Sequence, residues 1–217
     1  MKFIFLSILT FALSSTCAQS NQTAMDSEKL IQAVETGDIA EIQQLVTKEN
    51  VNTINAKKQS LLMIATYKDN FQAARLLVSL GADVNQQDDL LNSPFLYAGA
   101  SGYLEFVQLF LENGADFNVF NRYNGSALIP AAEKGHVETV RLLANTADYP
   151  VNHVNRLGWT ALMEAVVLSD GGKKHQEIVQ ILLDAGADKS IPDKEGVTAL
   201  THAKNRGFTE IAEILEK

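Results

Sequence analysis

Four histidines (His136, His153, His175 and His202), one cysteine (Cys17) and scattered carboxylates are the side chains of this 217-residue chain best suited to chemistry. Imidazoles could ligate zinc if several converged at bonding distance. These four fall in different segments at different offsets, so no metal site is expected. Carboxylates such as Glu133, Glu138 and Glu177 could pair for acid–base work, but they fall at the exposed positions of helical segments. No Gly-rich phosphate loop ending in Lys-Ser/Thr, no Gly-x-Ser-x-Gly elbow and no His-Glu-x-x-His pair is present. The expectation is a protein without enzymatic activity, cofactor or metal.

Composition narrows the partner. The formal net charge is −8, and phosphate backbones need clustered Lys and Arg. Lys57-Lys58 and Lys173-Lys174 are isolated pairs, so neither nucleic acid nor an anionic membrane surface is expected. An acidic chain favours a basic protein partner. Apolar residues make up 46% of the chain, enough to build a core.

The N-terminus is of a different character. Lys2 precedes an apolar run from Phe3 to Leu13, too short to span a bilayer but suited to a signal-peptide core. Cleavage after Ala18 would place small residues, Thr16 and Ala18, at the usual positions. Cleavage before Cys17 would instead leave that thiol to carry lipid, although Leu13 lies one residue too far upstream for the usual bacterial pattern. An uncleaved anchor is the third alternative. Cys17 is the only cysteine, so disulfides and thiol chemistry are excluded downstream of it. The organisation expected is a signal peptide at 1–18, a short linker at 19–25 and one domain at 26–217. Export to the periplasm or outside the cell follows, with a lipid-anchored form as the alternative.

What positions the remaining residues is a repeat. "SLLMIA" from Ser60 returns as "SPFLYA" from Ser93, "SALIPA" from Ser126, "TALMEA" from Thr160 and "TALTHA" from Thr198. The intervals between these anchors are 33, 33, 34 and 38. Five positions after each anchor stand Ala65, Ala98, Ala131, Ala165 and Ala203; two after stand Leu62, Phe95, Leu128, Leu162 and Leu200. A degenerate first anchor at Glu28 correctly finds Leu30 and Ala33. Six units near 26–56, 57–89, 90–122, 123–156, 157–194 and 195–217 fit this register.

Each unit reads as two short helices and a finger. The Ser/Thr anchor caps the first helix. Alanine on its inner face lets the neighbouring unit approach. Gly37, Gly102, Gly135 and Gly207 end that helix with positive φ. Pro130 falls in a first turn, where its missing N–H costs little. "GADVN" from Gly81, "GADFN" from Gly114 and "GADKS" from Gly186 close the second helix. No unit buries its apolar face alone; each needs its neighbours.

These phrases resemble the ankyrin repeat, whose pattern is Gly-x-Thr-Pro-Leu-His, Ala-Ala, a Gly-His turn, an apolar helix and Gly-Ala-Asp-x-Asn. The resemblance covers roughly Asp26 to Lys217. It implies an all-α solenoid of about six helix–turn–helix units that binds another protein, with His136 structural in its Gly-His turn. "TALMEAVVLSDGGKKHQEIVQILLDAGAD" is similar to an exported bacterial subfamily with the same insertion. That likeness implies an alternative role as accessory factor to an exported oxidative-stress enzyme such as a catalase. A membrane-tethered structural lipoprotein is the further alternative. Only Ser93-Pro94 keeps the family's proline, and no unit keeps its Pro-Leu-His histidine.

Two surfaces lie free of the expected core. Finger tips, three before each anchor, present Lys57, Leu90, Tyr123, Leu157 and Glu195. Leu91, Phe120, Arg122, Arg156 and Trp159 adjoin them. Apolar, aromatic and Arg side chains on a rigid surface suit a protein hot spot. The competing expectation is that Leu90, Phe120 and Leu157 fold back onto adjacent fingers; Trp159 is expected to be mostly structural. On the groove side, four after the anchor, lie Ile64, Tyr97, Pro130, Glu164 and His202. Tyr97 and Glu164 could hydrogen-bond a partner, or the column could be a solvated helix face. The insertion "SDGGKKHQ" (169–176) is expected as a flexible projection, with His175 facing solvent. The chain is read as a monomer.

Overall fold

A computed structural model describes residues 25–217. The expected signal peptide, its lipidation alternative at Cys17 and all but the end of the linker lie outside the described residues. Six helix pairs follow one another. They are α1 (25–36) and α2 (Ile39–Leu45), α3 (Leu61–Tyr67) and α4 (Phe71–Ser79), and α5 (Pro94–Ser101) and α6 (Leu104–Glu112). Next come α7 (Leu128–Glu133) and α8 (Val137–Ala144), α9 (Ala161–Val167) and α10 (Lys173–Asp184), and α11 (Ala199–Asn205) and α12 (Thr209–Glu216). Within a pair the helices pack antiparallel across a tight turn. Between pairs, α3, α5, α7, α9 and α11 form one row, and α2, α4, α6, α8, α10 and α12 another. Among the described residues no strand forms; one isolated bridge, Ile54 to Ser60, sits in a finger. The all-α solenoid read from the repeat is the fold.

Helices this short are marginal alone, so caps and burial hold them. Ser60, Ser93, Thr160 and Thr198 accept from the N–H groups of Met63, Leu96, Met163 and Thr201. Ser126 is the exception. Its hydroxyl makes no cap bond, and the Leu128 N–H donates to the Tyr149 hydroxyl at 3.2 Å. Tyr149 comes from the stretch that replaces Gly-Ala-Asp in the fourth unit, and it is buried with its ring centre 4.8 Å from that of Phe117. That burial pushes its phenol up to about 12.

The repeat columns make the core. Ala65, Ala98, Ala131, Ala165 and Ala203 are fully buried, as are Leu77, Phe110, Leu143 and Leu182 in the outer row. Burying each large side chain contributes about 1.5–3 kcal/mol, and the neighbours supply most of the covering surface.

The insertion departs from expectation. It does not project. Ser169 is buried, and its carbonyl accepts from the Arg206 guanidinium at 2.8 Å. Gly171 lies against the Phe208 ring, and Gln176 Nε2 donates to the Gly171 carbonyl at 2.9 Å. The extra residues are absorbed into a 12-residue α10, longer than the other helices of its row. His175 is correspondingly not solvent-facing. Its side chain is 13% exposed, with Nε2 3.0 Å from the Glu133 carbonyl of the preceding unit.

Candidate functional site: fingers and groove

Every finger turn is built on one Asn or Asp, five residues before the anchor: Asn55, Asp88, Asn121, Asn155 and Asp193. In each, Oδ1 accepts two backbone N–H groups, two and four residues ahead. For Asn155 these belong to Leu157 and Trp159, at 2.9 and 3.1 Å. For Asp88 they belong to Leu90 and Asn92, at 2.9 and 3.0 Å. The same pairs recur at Asn55, Asn121 and Asp193. This closes the turn as an Asx motif. The residue two before the anchor then takes positive φ: Lys58, Leu91, Asn124, Gly158 and Gly196.

The second terminal atom of this side chain selects acid or amide by what it faces. Asp88 Oδ2 accepts from the Tyr67 hydroxyl at 2.7 Å, and Asp193 Oδ2 lies 2.6 Å from His202 Nε2. Asn155 Nδ2 instead donates to Glu164 Oε1 at 2.8 Å. Donor meets acceptor each time. The recurrence of Asx at this offset is visible in the sequence, and reading only the Ser/Thr and Leu/Ala columns overlooks it.

Fingers are tied to one another. The Asp89 and Arg156 N–H groups donate to the carbonyls of Lys57 and Tyr123 on the preceding fingers, at 3.1 and 2.8 Å. Gln87 Nε2 reaches the Phe120 carbonyl at 2.8 Å. Tip side chains are thus displayed on a continuous, internally bonded edge.

On that edge Leu90, Leu91, Tyr123 and Leu157 are exposed, with Arg122 and Arg156 beside them. The Arg122 guanidinium lies 4.8 Å from the centre of the Tyr123 ring. Phe120 is placed otherwise. It is half-buried and stacks on His153 with ring centres 4.1 Å apart, folded back onto the next finger. Trp159 is half-buried and packs against the core. Tyr97 is half-buried in the groove, its ring edge-on to Tyr67 at 4.4 Å; its hydroxyl has no partner among the described residues.

The groove column is not a solvated helix face. Ile64 and Glu164 are 4% and 5% exposed, and Tyr97, Pro130 and His202 are half-buried. Finger turns reach over the inner helices: Asn155 and Asp193 hold Glu164 and His202 of the helix that follows, and Asp88 holds Tyr67 of the helix before. Between the fourth and fifth units this leaves a cavity of about 210 Å³, walled by Tyr123, Pro130, Leu157 and Leu168 and floored by Glu133 and Glu164. Burial pushes the Glu164 carboxyl up to about 7, the Glu133 charge adds to the rise, and the Asn155 hydrogen bond opposes it. Leu168, exposed at the cavity rim, stands where the other units have Lys68, Ser101, Lys134 and Arg206.

Among the described residues no group of three His, Cys, Asp or Glu side chains could hold a metal, and no helix is long and apolar enough to cross a membrane. The histidines are each placed apart. His136 packs beneath Gly102, His153 on Phe120, His175 on the Glu133 carbonyl and His202 on Asp193.

The chain matches the family described as "Ankyrin repeats (3 copies)" over residues 7–88, 30–121 and 95–193. It is 38% identical over 184 residues to the ankyrin repeat protein YahD of Escherichia coli (strain K12), covering 84% of this chain and 92% of that one. Its fold is similar to the crystal structure of an ankyrin repeat domain from Acinetobacter baumannii AYE. There the TM-score is 0.83 at 48% identity, covering 86% of this chain and 95% of that chain. The ankyrin repeat protein EF0377 gives a TM-score of 0.83 at 37% identity, with coverage of 87% and 96%. Ankyrin repeats are generally protein–protein interaction modules, and their fold is typically a non-enzymatic scaffold. By repeat register, helix-pair stacking and family match alike, the chain belongs to the ankyrin repeat family.

Proposed function

We propose that the protein binds another protein along its finger tips and the adjoining groove, in the bacterial cell envelope or outside it. Leu91 carries this reading. The other fingers place Lys58, Asn124, Gly158 and Gly196 at the same positive-φ position. A leucine there has φ 57° and remains 46% exposed. A bulky residue in this region costs on the order of 1 kcal/mol, and its side chain gains little burial in return. Leu90, Tyr123 and Leu157 continue an apolar edge held rigid by bonds between fingers, so docking would order few further groups.

The envelope setting rests on the sequence at the N-terminus: Lys2, the apolar run to Leu13, and small residues at 16 and 18. Fractionation tests it. The chain should appear in the periplasmic or extracellular fraction, and recovery with cytoplasmic markers would contradict export. Loss of a membrane-bound pool in Cys17→Ser would assign the lipid-anchored form.

A photo-crosslinking residue placed at Leu90 tests the binding surface in living cells. A protein adduct should form from this position and not from Gln180, exposed on the outer face of α10. Adducts from Gln180 alone would remove the finger surface from consideration. A catalase in the Leu90 adduct would identify the accessory role in peroxide defence.

A further inference from the structure

The cavity between the fourth and fifth units combines apolar walls with an acidic floor. Pro130, Leu157 and Leu168 supply the aliphatic surface, and no Lys, Arg or His lines it. Glu164 is 95% buried by its 5% exposure, yet it faces this space. Its Oε1 is held by Asn155, whose own Oδ1 is committed to the finger turn. The second carboxylate oxygen has no partner among the described residues. Unlike the Ser126 hydroxyl, that oxygen is not sealed from solvent; it opens onto the cavity, and the Asx turn fixes where it points. Glu133 adds a second carboxylate at the same floor, on a chain of net charge −8.

We infer that this cavity takes a lysine side chain of the partner protein, its methylene stem against Leu157, Leu168 and Pro130 and its ammonium on Glu164 and Glu133. Lysine is favoured over arginine because a guanidinium binds best to both oxygens of one carboxylate. Asn155 already occupies one of them. A compact ammonium needs only the free oxygen and can share Glu133. This deepens the partner-binding reading and rests on it.

The test uses the full chain, isotope-labelled, in NMR titrations with three probes: the N-acetyl, N-methylamide derivatives of lysine, norleucine and arginine. The lysine probe should shift Tyr123, Leu157 and Leu168 resonances and bind about tenfold tighter than norleucine, which has an equally long stem but no charge. Glu164→Gln should remove that preference while leaving norleucine binding unchanged. The comparison of probes on the unaltered chain needs no variant to fold. Equal binding of lysine and norleucine, tighter binding of arginine, or no shift at these residues would each overturn the lysine assignment. Crosslinking from Leu90 reads the partner surface separately, so either conclusion can fall without the other.

Discussion

Leu91 and Glu164 sit close to the same surface and strain it differently, one through its backbone and the other through its charge. Leu91→Gly relieves the positive φ at the cost of a more flexible unfolded chain. A net gain of roughly 0.5–1 kcal/mol in denaturant unfolding is expected, together with weaker partner binding. Lower stability in that variant would mean that Leu91 serves packing. For Glu164 the sign follows from its raised carboxyl. The fold prefers the protonated acid, so the favourable contribution is complete below about 4.5 and is lost as pH rises through about 7. Relative to Glu164→Gln, the unaltered chain should lose stability across that window, by at most about 3 kcal/mol. Parallel curves for the two proteins from pH 4 to 8 would show that the carboxyl is not buried as described.

At the scale of elements, two glycines separate backbone conformation from packing. Gly171 and Gly207 have nearly equal φ, 72° and 70°. A Cβ at Gly171 would lie 2.5 Å from the Phe208 ring, whereas one at Gly207 meets nothing within 4 Å. Gly207→Ala should cost about 1 kcal/mol for the backbone alone, and Gly171→Ala roughly 2–4 kcal/mol because Phe208 must also move. Equal melting temperatures would deny that the insertion is packed against α12. These elements also show what the sequence could tell. The columns at Ala98, Ala131 and Phe110 were legible because stacking buries them at a fixed period. The fate of 169–176 was not, since glycines and lysines read as a loop until α10 is seen to absorb them. Glu164 lay at the right offset but could not be told from a solvated position, because its burial depends on the finger turn of Asn155, which ends the fourth unit, folding over it. The first turn after Ser126 departs for a related reason: the hydroxyl of a tyrosine more than twenty residues ahead accepts the Leu128 N–H, whereas the other anchors cap the N–H three residues on.

The whole molecule is a one-dimensional stack, in which each pair of helices is stable only against its neighbours. Damage at one junction should therefore spread along the array and be seen first in the nearest units. In Gly171→Ala, hydrogen exchange should accelerate in α10, α11 and α12 before α3 to α6. Stacking also decides which surface is left for the proposed binding. The core columns are used up in holding the array together, and the recognition we propose falls to tips and groove. The family match is silent about those positions for the same reason. The most direct measurement is the affinity of the crosslinked partner for a chain bearing Leu90→Glu and Tyr123→Glu, with its melting temperature recorded in parallel. Docking along the fingers predicts binding at least about tenfold weaker, as for loss of hot-spot residues, at an unchanged melting temperature. Undiminished binding at that same melting temperature would contradict it.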